Sequence, residues 1–125
     1  MEGSKQKLLS NLLKRDESII GIIVAEKDSA IPVLSSYSPT CSETVDRHRP
    51  FIGSTITLMR NSNKLGLGET KRVCATYEDK NVVNIFYKQW VIIIIGKSDS
   101  SLGGMLSLEN EIYQCIADLP VLPDD

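Results

Sequence analysis

The apolar run WVIIII at residues 90–95 is the feature that most constrains the fold of this 125-residue chain. The run shows no alternation with polar residues, so a strand formed by it must be covered on both faces. It is also far shorter than the roughly 20 residues that a membrane helix needs. The run therefore predicts the central strand of a sheet that has other elements packed on each side.

Four further segments have strand character and are separated by turn residues or hairpin-length connections. Residues 18–25 are continuous and β-branched, and residues 30–36 follow them after a short polar turn. Pro32 cannot donate a ladder hydrogen bond, which predicts that this second strand lies at a sheet edge or a bulge. The last three predicted strands form a meander and comprise residues 71–77, 82–87 and 90–96.

Three segments have the periodicity of helices. Residues 4–14 place their leucines on one stripe, and a central helix is expected to begin at Pro50 and to end near Gly66. A single last helix is expected over residues 102–119, where apolar residues recur at steps of three or four until Pro120 stops it. The predicted order is α-β-β-α-β-β-β-α, an α+β domain over residues 1–125 with helices flanking a five-stranded antiparallel sheet.

Composition argues against several classes of protein. The chain has 14 basic and 16 acidic residues with no basic stripe, so we expect no nucleic acid partner. The chain has an odd number of cysteines, and they are widely spaced: Cys41, Cys74 and Cys115. This pattern favours reduced cytosolic thiols over a zinc site or a disulfide framework. No secretory or myristoylation signal is recognisable, so any membrane association is expected to come through a partner.

No residue pattern indicates catalysis. The single histidine, His48, lies between Arg47 and Arg49 in a stretch expected to be a polar loop, with no cysteine or serine in a strained turn nearby. The segment GKSDSSLGG at residues 96–104 follows a strand and precedes a helix but matches no phosphate-binding motif. We interpret it as a strand-to-helix connection with a serine or aspartate cap. The acidic residues do not cluster at metal-ligand spacing, so the sequence predicts no enzyme, no metal and no cofactor.

The remaining candidate is a surface. The central helix has few large apolar residues on its outer face, and the strand that begins the meander follows a long connection. Such a strand can form a sheet edge that another chain continues. The alternative is an edge protected by the charged residues Lys71, Arg72 and Glu78. The residues themselves leave both possibilities open.

Several short motifs, in order and at matching spacing over about residues 5–119, resemble the roadblock/dynein light chain family. Within that family the chain is most similar to the MEK-partner scaffold subunits of Ragulator, the late endosomal/lysosomal adaptor complex. One difference is the first turn, DSAIP at residues 28–32, which is one residue longer than the family's and lacks its glycine, so its conformation must differ. The matching segments are IPV at 31–33, RPF at 49–51, ST at 54–55, KLGLG at 64–68, VV at 82–83 and SLE at 107–109.

The resemblance implies a non-catalytic scaffold that pairs with a second roadblock-fold subunit. It further implies a place in a complex with other Ragulator subunits, including a lipidated membrane anchor, on the cytoplasmic face of late endosomes and lysosomes. Such a complex docks Rag GTPases, supports TORC1 activation by amino acids, and brings MEK and ERK kinases to the same membrane. The alternative from the predicted architecture is a longin- or profilin-like trafficking or regulatory domain.

The resemblance also implies which residues would bind the partner subunit. They come from the central helix and the third strand. On this basis we expect Met59→Asp to break the pairing without unfolding the single chain. The implied partner-binding residues are Phe51, Thr55, Leu58, Met59, Ser62, Val73, Ala75 and Tyr77.

Overall fold

A computed structural model describes residues 2–15, 17–38, 45–63, 65, 71–76 and 80–117. In the helices it describes the backbone alone at residues 2–4, 6, 45–51, 62–63 and 102. Its elements are α1 (Glu2–Arg15), β1 (Ile19–Glu26), β2 (Pro32–Tyr37), α2 (Val45–Asn63), β3 (Arg72–Thr76), β4 (Lys80–Tyr87), β5 (Trp90–Lys97), α3 (Leu102–Leu106) and α4 (Glu109–Ile116).

The strands form one five-stranded sheet in the order β2-β1-β5-β4-β3, and every neighbouring pair is antiparallel. The predicted central position of the apolar run is confirmed, since β5 lies between β1 and β4. The prediction from Pro32 is also confirmed: β2 is an edge strand, and the β1–β2 register shifts between Val24 and Ala25, beside Pro32.

Two separate cores lie on the two faces of the sheet. Ile22 of β1 is opposite Ile94 of β5, and both belong to the core formed with α1, α3 and α4. The next residue pair, Ile23 and Ile93, belongs to the core beneath α2. Because side chains alternate along a strand, the continuous apolar runs of β1 and β5 supply both cores at once.

The central helix begins earlier than the sequence predicts. We expected residues 38–49 to be irregular and the helix to begin at Pro50, whereas α2 begins at Val45. Pro50 therefore lies inside the helix, where it costs one backbone hydrogen bond rather than none. Residues 45–49, VDRHR, contain only one apolar residue, so no periodic signal marked this part of the helix in the sequence. Gly66 lies outside the described residues.

The last predicted helix is two helices. α3 ends at Leu106 and α4 begins at Glu109. Between them the hydroxyl of Ser107 donates to the carbonyl of Gly104 at 2.5 Å, and the Leu108 amide donates to the carbonyl of Met105 at 3.2 Å. Met105, Leu108, Ile112 and Cys115 all enter the same core, so the steps of three and four continue across the break and conceal it. The predicted end at Pro120 lies outside the described residues.

Candidate interaction surface

β3 is the outer strand of the sheet, and no strand among the described residues lies along its other side. The Phe86 amide donates to the Lys71 carbonyl at 2.8 Å, so Lys71, just before β3, and Phe86 of β4 form a hydrogen-bonded pair. Such pairs recur at every second residue of an antiparallel ladder, so the residues between them direct their backbone groups away from β4. The residues with outward-directed N–H and C=O groups are Arg72, Cys74 and Thr76.

The side chains of β3 divide between the two faces of the sheet. Val73 packs against the core beneath α2. Ala75 is two residues further along the strand, so it lies on the same face, and it is also half-buried. Arg72, Cys74 and Thr76 are exposed on the opposite face. The prediction of a sheet edge here is confirmed, and its two described apolar side chains lie on the face that α2 covers.

A buried asparagine reinforces this edge. Asn84 of β4 is 2% exposed and stands opposite Val73. Its Nδ2 donates to the carbonyl of Val73 at 3.1 Å, while its Oδ1 is buried and has no hydrogen-bond partner among the described residues. The asparagine therefore adds a side-chain hydrogen bond to the ladder that holds the edge strand in place.

The outer face of α2 is mostly polar, with one large apolar side chain among its described residues. Ile52, Ile56 and Met59 are buried against the sheet. Leu58 is 51% exposed, and Leu65, just beyond the helix, is 70% exposed. The other exposed side chains of this face are Ser54, Thr57, Arg60 and Asn61.

The structure separates the predicted partner-binding residues into groups. Leu58 is exposed, whereas Thr55 and Met59 are 7% and 5% exposed and point into the single chain. The expectation that Met59→Asp would spare folding is wrong, because Met59 belongs to the core beneath α2. Val73 and Ala75 are half-buried at the edge strand. The side chains of Phe51 and Ser62, and all of Tyr77, lie outside the described residues.

Sequence reasoning missed a polar network that joins β3 to α4. Glu109 accepts hydrogen bonds from Arg72 and from the Tyr113 hydroxyl, and Tyr113 stacks on Tyr87 with ring centroids 4.0 Å apart. The hydrogen bond from Arg72 holds the pKa of Glu109 below its usual range. Burial, followed by the hydrogen bond to Glu109, raises the pKa of Tyr113. No local pattern connects residues 37 positions apart.

The described residues contain no group placed to bind a metal, and they show how the loop after β5 is built. No group of three His, Cys, Asp or Glu side chains among them is placed to hold a metal ion, and the His48 side chain lies outside the description. The interpretation of the loop after β5 is confirmed, since the Ser101 hydroxyl caps α3 by accepting from the Gly104 amide at 3.2 Å. No helix within the described ranges has the length and apolar character to cross a membrane.

A five-stranded antiparallel sheet between one long helix and a layer of shorter ones, with an open edge strand, is the architecture of the roadblock/LC7 fold. Myxococcus xanthus MglB superposes with a TM-score of 0.74 at 12% identity, covering 93% of this chain and 94% of MglB. A roadblock/LC7 domain from Streptomyces avermitilis gives 0.66 at 10% identity, covering 91% and 92%. These neighbours favour the roadblock fold over the longin- or profilin-like alternative.

The sequence narrows this class further. The chain belongs to the family described as "Mitogen-activated protein kinase kinase 1 interacting", whose model matches residues 4–122. It is 29% identical over 120 residues to "Ragulator complex protein LAMTOR3" of Tetraodon nigroviridis, covering 95% of this chain and 94% of that protein. It is 28% identical over 115 residues to "Ragulator complex protein LAMTOR3-B" of Xenopus laevis, covering 91% of each.

Proposed function

We propose that this protein is a non-catalytic scaffold subunit of a Ragulator-type complex and that it pairs with a second roadblock-fold subunit through β3 and α2. The open edge of β3 is the observation that carries the pairing proposal. A strand edge with free backbone groups can be extended by a strand of another chain. The family match and the Ragulator names of the relatives support the kind of complex.

The geometry suits an interface made of one strand and one helix. A partner strand would accept and donate hydrogen bonds at the outward-directed residues of β3, which fixes its register. Leu58 and Leu65 add exposed apolar area on the α2 side of the sheet. An interface of ordinary size, roughly 800 Å² per partner, needs both elements, because a short strand alone is too small. Of the partner-binding residues that the family resemblance implies, Leu58, Val73 and Ala75 lie on the described part of this surface, whereas Thr55 and Met59 are buried beneath it.

The wider role follows from membership of such a complex. We propose that other subunits, including a lipidated anchor, hold the heterodimer on the cytoplasmic face of late endosomes and lysosomes. There it would help to dock Rag GTPases for TORC1 activation by amino acids and would bring MEK and ERK kinases to the membrane. The family description, which names interaction with a MAP kinase kinase, supports the kinase part of this proposal.

Co-expression with each roadblock-fold protein of the host, followed by light scattering, tests the pairing. We expect a stable one-to-one heterodimer with one of them. Leu58→Asp should abolish that heterodimer, whereas Leu8→Asp should not, because Leu8 has nearly the same exposure, 50% against 51%, but lies on α1 across the sheet. A chain that stays monomeric with every roadblock partner would overturn the proposal.

A further inference from the structure

A cavity of about 710 Å³ lies at the opposite edge of the sheet from β3, between α1 and the edge strand β2. This volume is within the range of small-molecule sites, about 300–1,000 Å³. Its position leaves it accessible when a partner occupies β3, so it is independent of the proposed pairing surface. The residues that line it are Ser10, Leu13, Lys14, Glu17, Ile19, Ser36, Tyr37, Ser38 and Lys97.

The cavity is built from elements that the fold holds firmly together. The hydroxyls of Ser10 on α1 and Ser36 on β2 are 2.8 Å apart and join the two elements. Lys97 is fixed at the end of β5, because its amide donates to the carbonyl of Ser18 at 2.7 Å. The Ser38 amide donates to the carbonyl of Ile20 at 2.9 Å, which holds the end of β2 against β1. Most of the lining therefore comes from α1, β1, β2 and β5, while Glu17 and Ser38 lie just outside these elements.

The chemistry of the lining selects a class of ligand. Lys14 and Lys97 are exposed at the cavity, and neither forms an ion pair with a described carboxylate. Two ammonium groups on one cavity favour a phosphate group. The carboxylate of Glu17 can accept hydrogen bonds from the hydroxyls of a ligand. Ser36 is 6% exposed, and its hydroxyl can form a further hydrogen bond in addition to its contact with Ser10.

From this juxtaposition we propose that the cavity between α1 and β2 binds a phosphorylated polyol, with its phosphate on Lys97 and Lys14 and its hydroxyls on Glu17 and Ser36. Lys97 carries more of the binding than Lys14, because Lys14 lies in the last turn of α1 and offsets the partial negative charge of that helix end. The ligand can be free in solution or the headgroup of a lipid, since both present the same groups.

Titration calorimetry of the purified full chain with inositol 1,4,5-trisphosphate tests the proposal. We expect saturable one-to-one binding that Lys14→Gln/Lys97→Gln weakens at least about tenfold. Lys97→Gln alone should weaken it more than Lys14→Gln alone. The control Lys7→Gln/Lys71→Gln removes the same charge from exposed lysines outside the cavity and should retain the affinity. Thermal melts of the four variants verify that each is folded.

Two further probes separate the sources and the chemistry of the ligand. Unphosphorylated inositol should bind far more weakly, and inorganic phosphate should compete only at high concentration. Sedimentation with phosphatidylcholine vesicles, with and without phosphatidylinositol 4-phosphate, shows whether the headgroup is reached when it is part of a membrane. Absence of saturable binding to the trisphosphate, or an equal loss in both double variants, would overturn the proposal without affecting the pairing through β3.

Discussion

The guanidinium of Arg72 on the edge strand β3 donates to both carboxylate oxygens of Glu109 on α4, at 2.9 Å from Nε and 2.5 Å from Nη2. The side chain of Glu109 is 12% exposed, whereas that of Arg72 is 46% exposed. The Tyr113 hydroxyl donates to the same carboxylate. The outermost strand of the sheet, the one that we propose for pairing, is thereby tied to a helix on the face opposite α2.

This network predicts a dependence of stability on pH. The pKa of Glu109 is lowered in the folded chain, chiefly by its hydrogen bond from Arg72, so its stabilising contribution is present above the unfolded value of about 4.3. That contribution is lost as the pH falls through the lowered folded pKa. Urea unfolding at about pH 7 and about pH 3 should therefore show a smaller loss of unfolding free energy in Glu109→Gln than in the wild-type chain.

Glu111→Gln is the matched control for that measurement. Glu111 is paired with Arg15, but its side chain is 42% exposed and solvent screens the pair. The control should follow the wild-type pH profile closely. Equal profiles for Glu109→Gln and the wild type would mean that the Arg72–Glu109 pair contributes nothing to folding.

The neighbouring residues Met59 and Leu58 of α2 should differ strongly in how much the same substitution destabilises the chain. Met59→Asp buries a charge in the core beneath α2 and should destabilise the single chain by several kcal/mol, about 3–5, or prevent its folding. Leu58→Asp should change the unfolding free energy by less than about 1 kcal/mol. Circular dichroism melts of the unpaired chain measure both, and a folded Met59→Asp chain with wild-type stability would contradict the packing of α2.

Gly96→Ala should destabilise the protein, because the added Cβ would lie 2.5 Å from the Ser100 hydroxyl and 2.9 Å from the Ser100 Cβ. Ser100 is itself held by a hydrogen bond to the Lys97 carbonyl at 2.6 Å, so it cannot move freely. Gly53→Ala is the control: it has open space around it on α2 and should stabilise the chain by about 1 kcal/mol. Chemical denaturation that ranks the two variants in the reverse order would refute this interpretation.

Ala30→Gly should stabilise the protein by about 1 kcal/mol. Ala30 has a φ of 62° in the turn between β1 and β2, where a Cβ is unfavourable. The turn keeps this conformation through hydrogen bonds of 2.8 Å from the Ala30 amide to the Glu26 carbonyl and 2.9 Å from the Glu26 amide to the Ile31 carbonyl. Ala25→Gly in β1 should instead destabilise, and thermal melts of the two variants should shift in opposite directions.

Much of the fold could be predicted because its signals are local. The continuous apolar runs of β1 and β5 predicted strands buried on both faces, and Pro32 predicted an edge or bulge. Helix limits were harder to predict. The break between α3 and α4 was hidden because Met105 and Leu108 enter one core on either side of it. The start of α2 was missed because a proline tolerated inside a helix looks like one at its first turn.

The sequence by itself determined which segments form strands, their order along the chain and the family. Strands and family membership can be recognised from side-chain periodicity and short motifs, because these signals lie in residues that are close together in the sequence. Only the tertiary structure decided that Leu58 faces outward while Met59 faces the sheet, since that choice depends on how α2 is rotated against the core. It alone also brought Arg72 to Glu109 and placed Lys14 and Lys97 on one cavity, because residues distant in sequence come together only when the sheet and helices are packed.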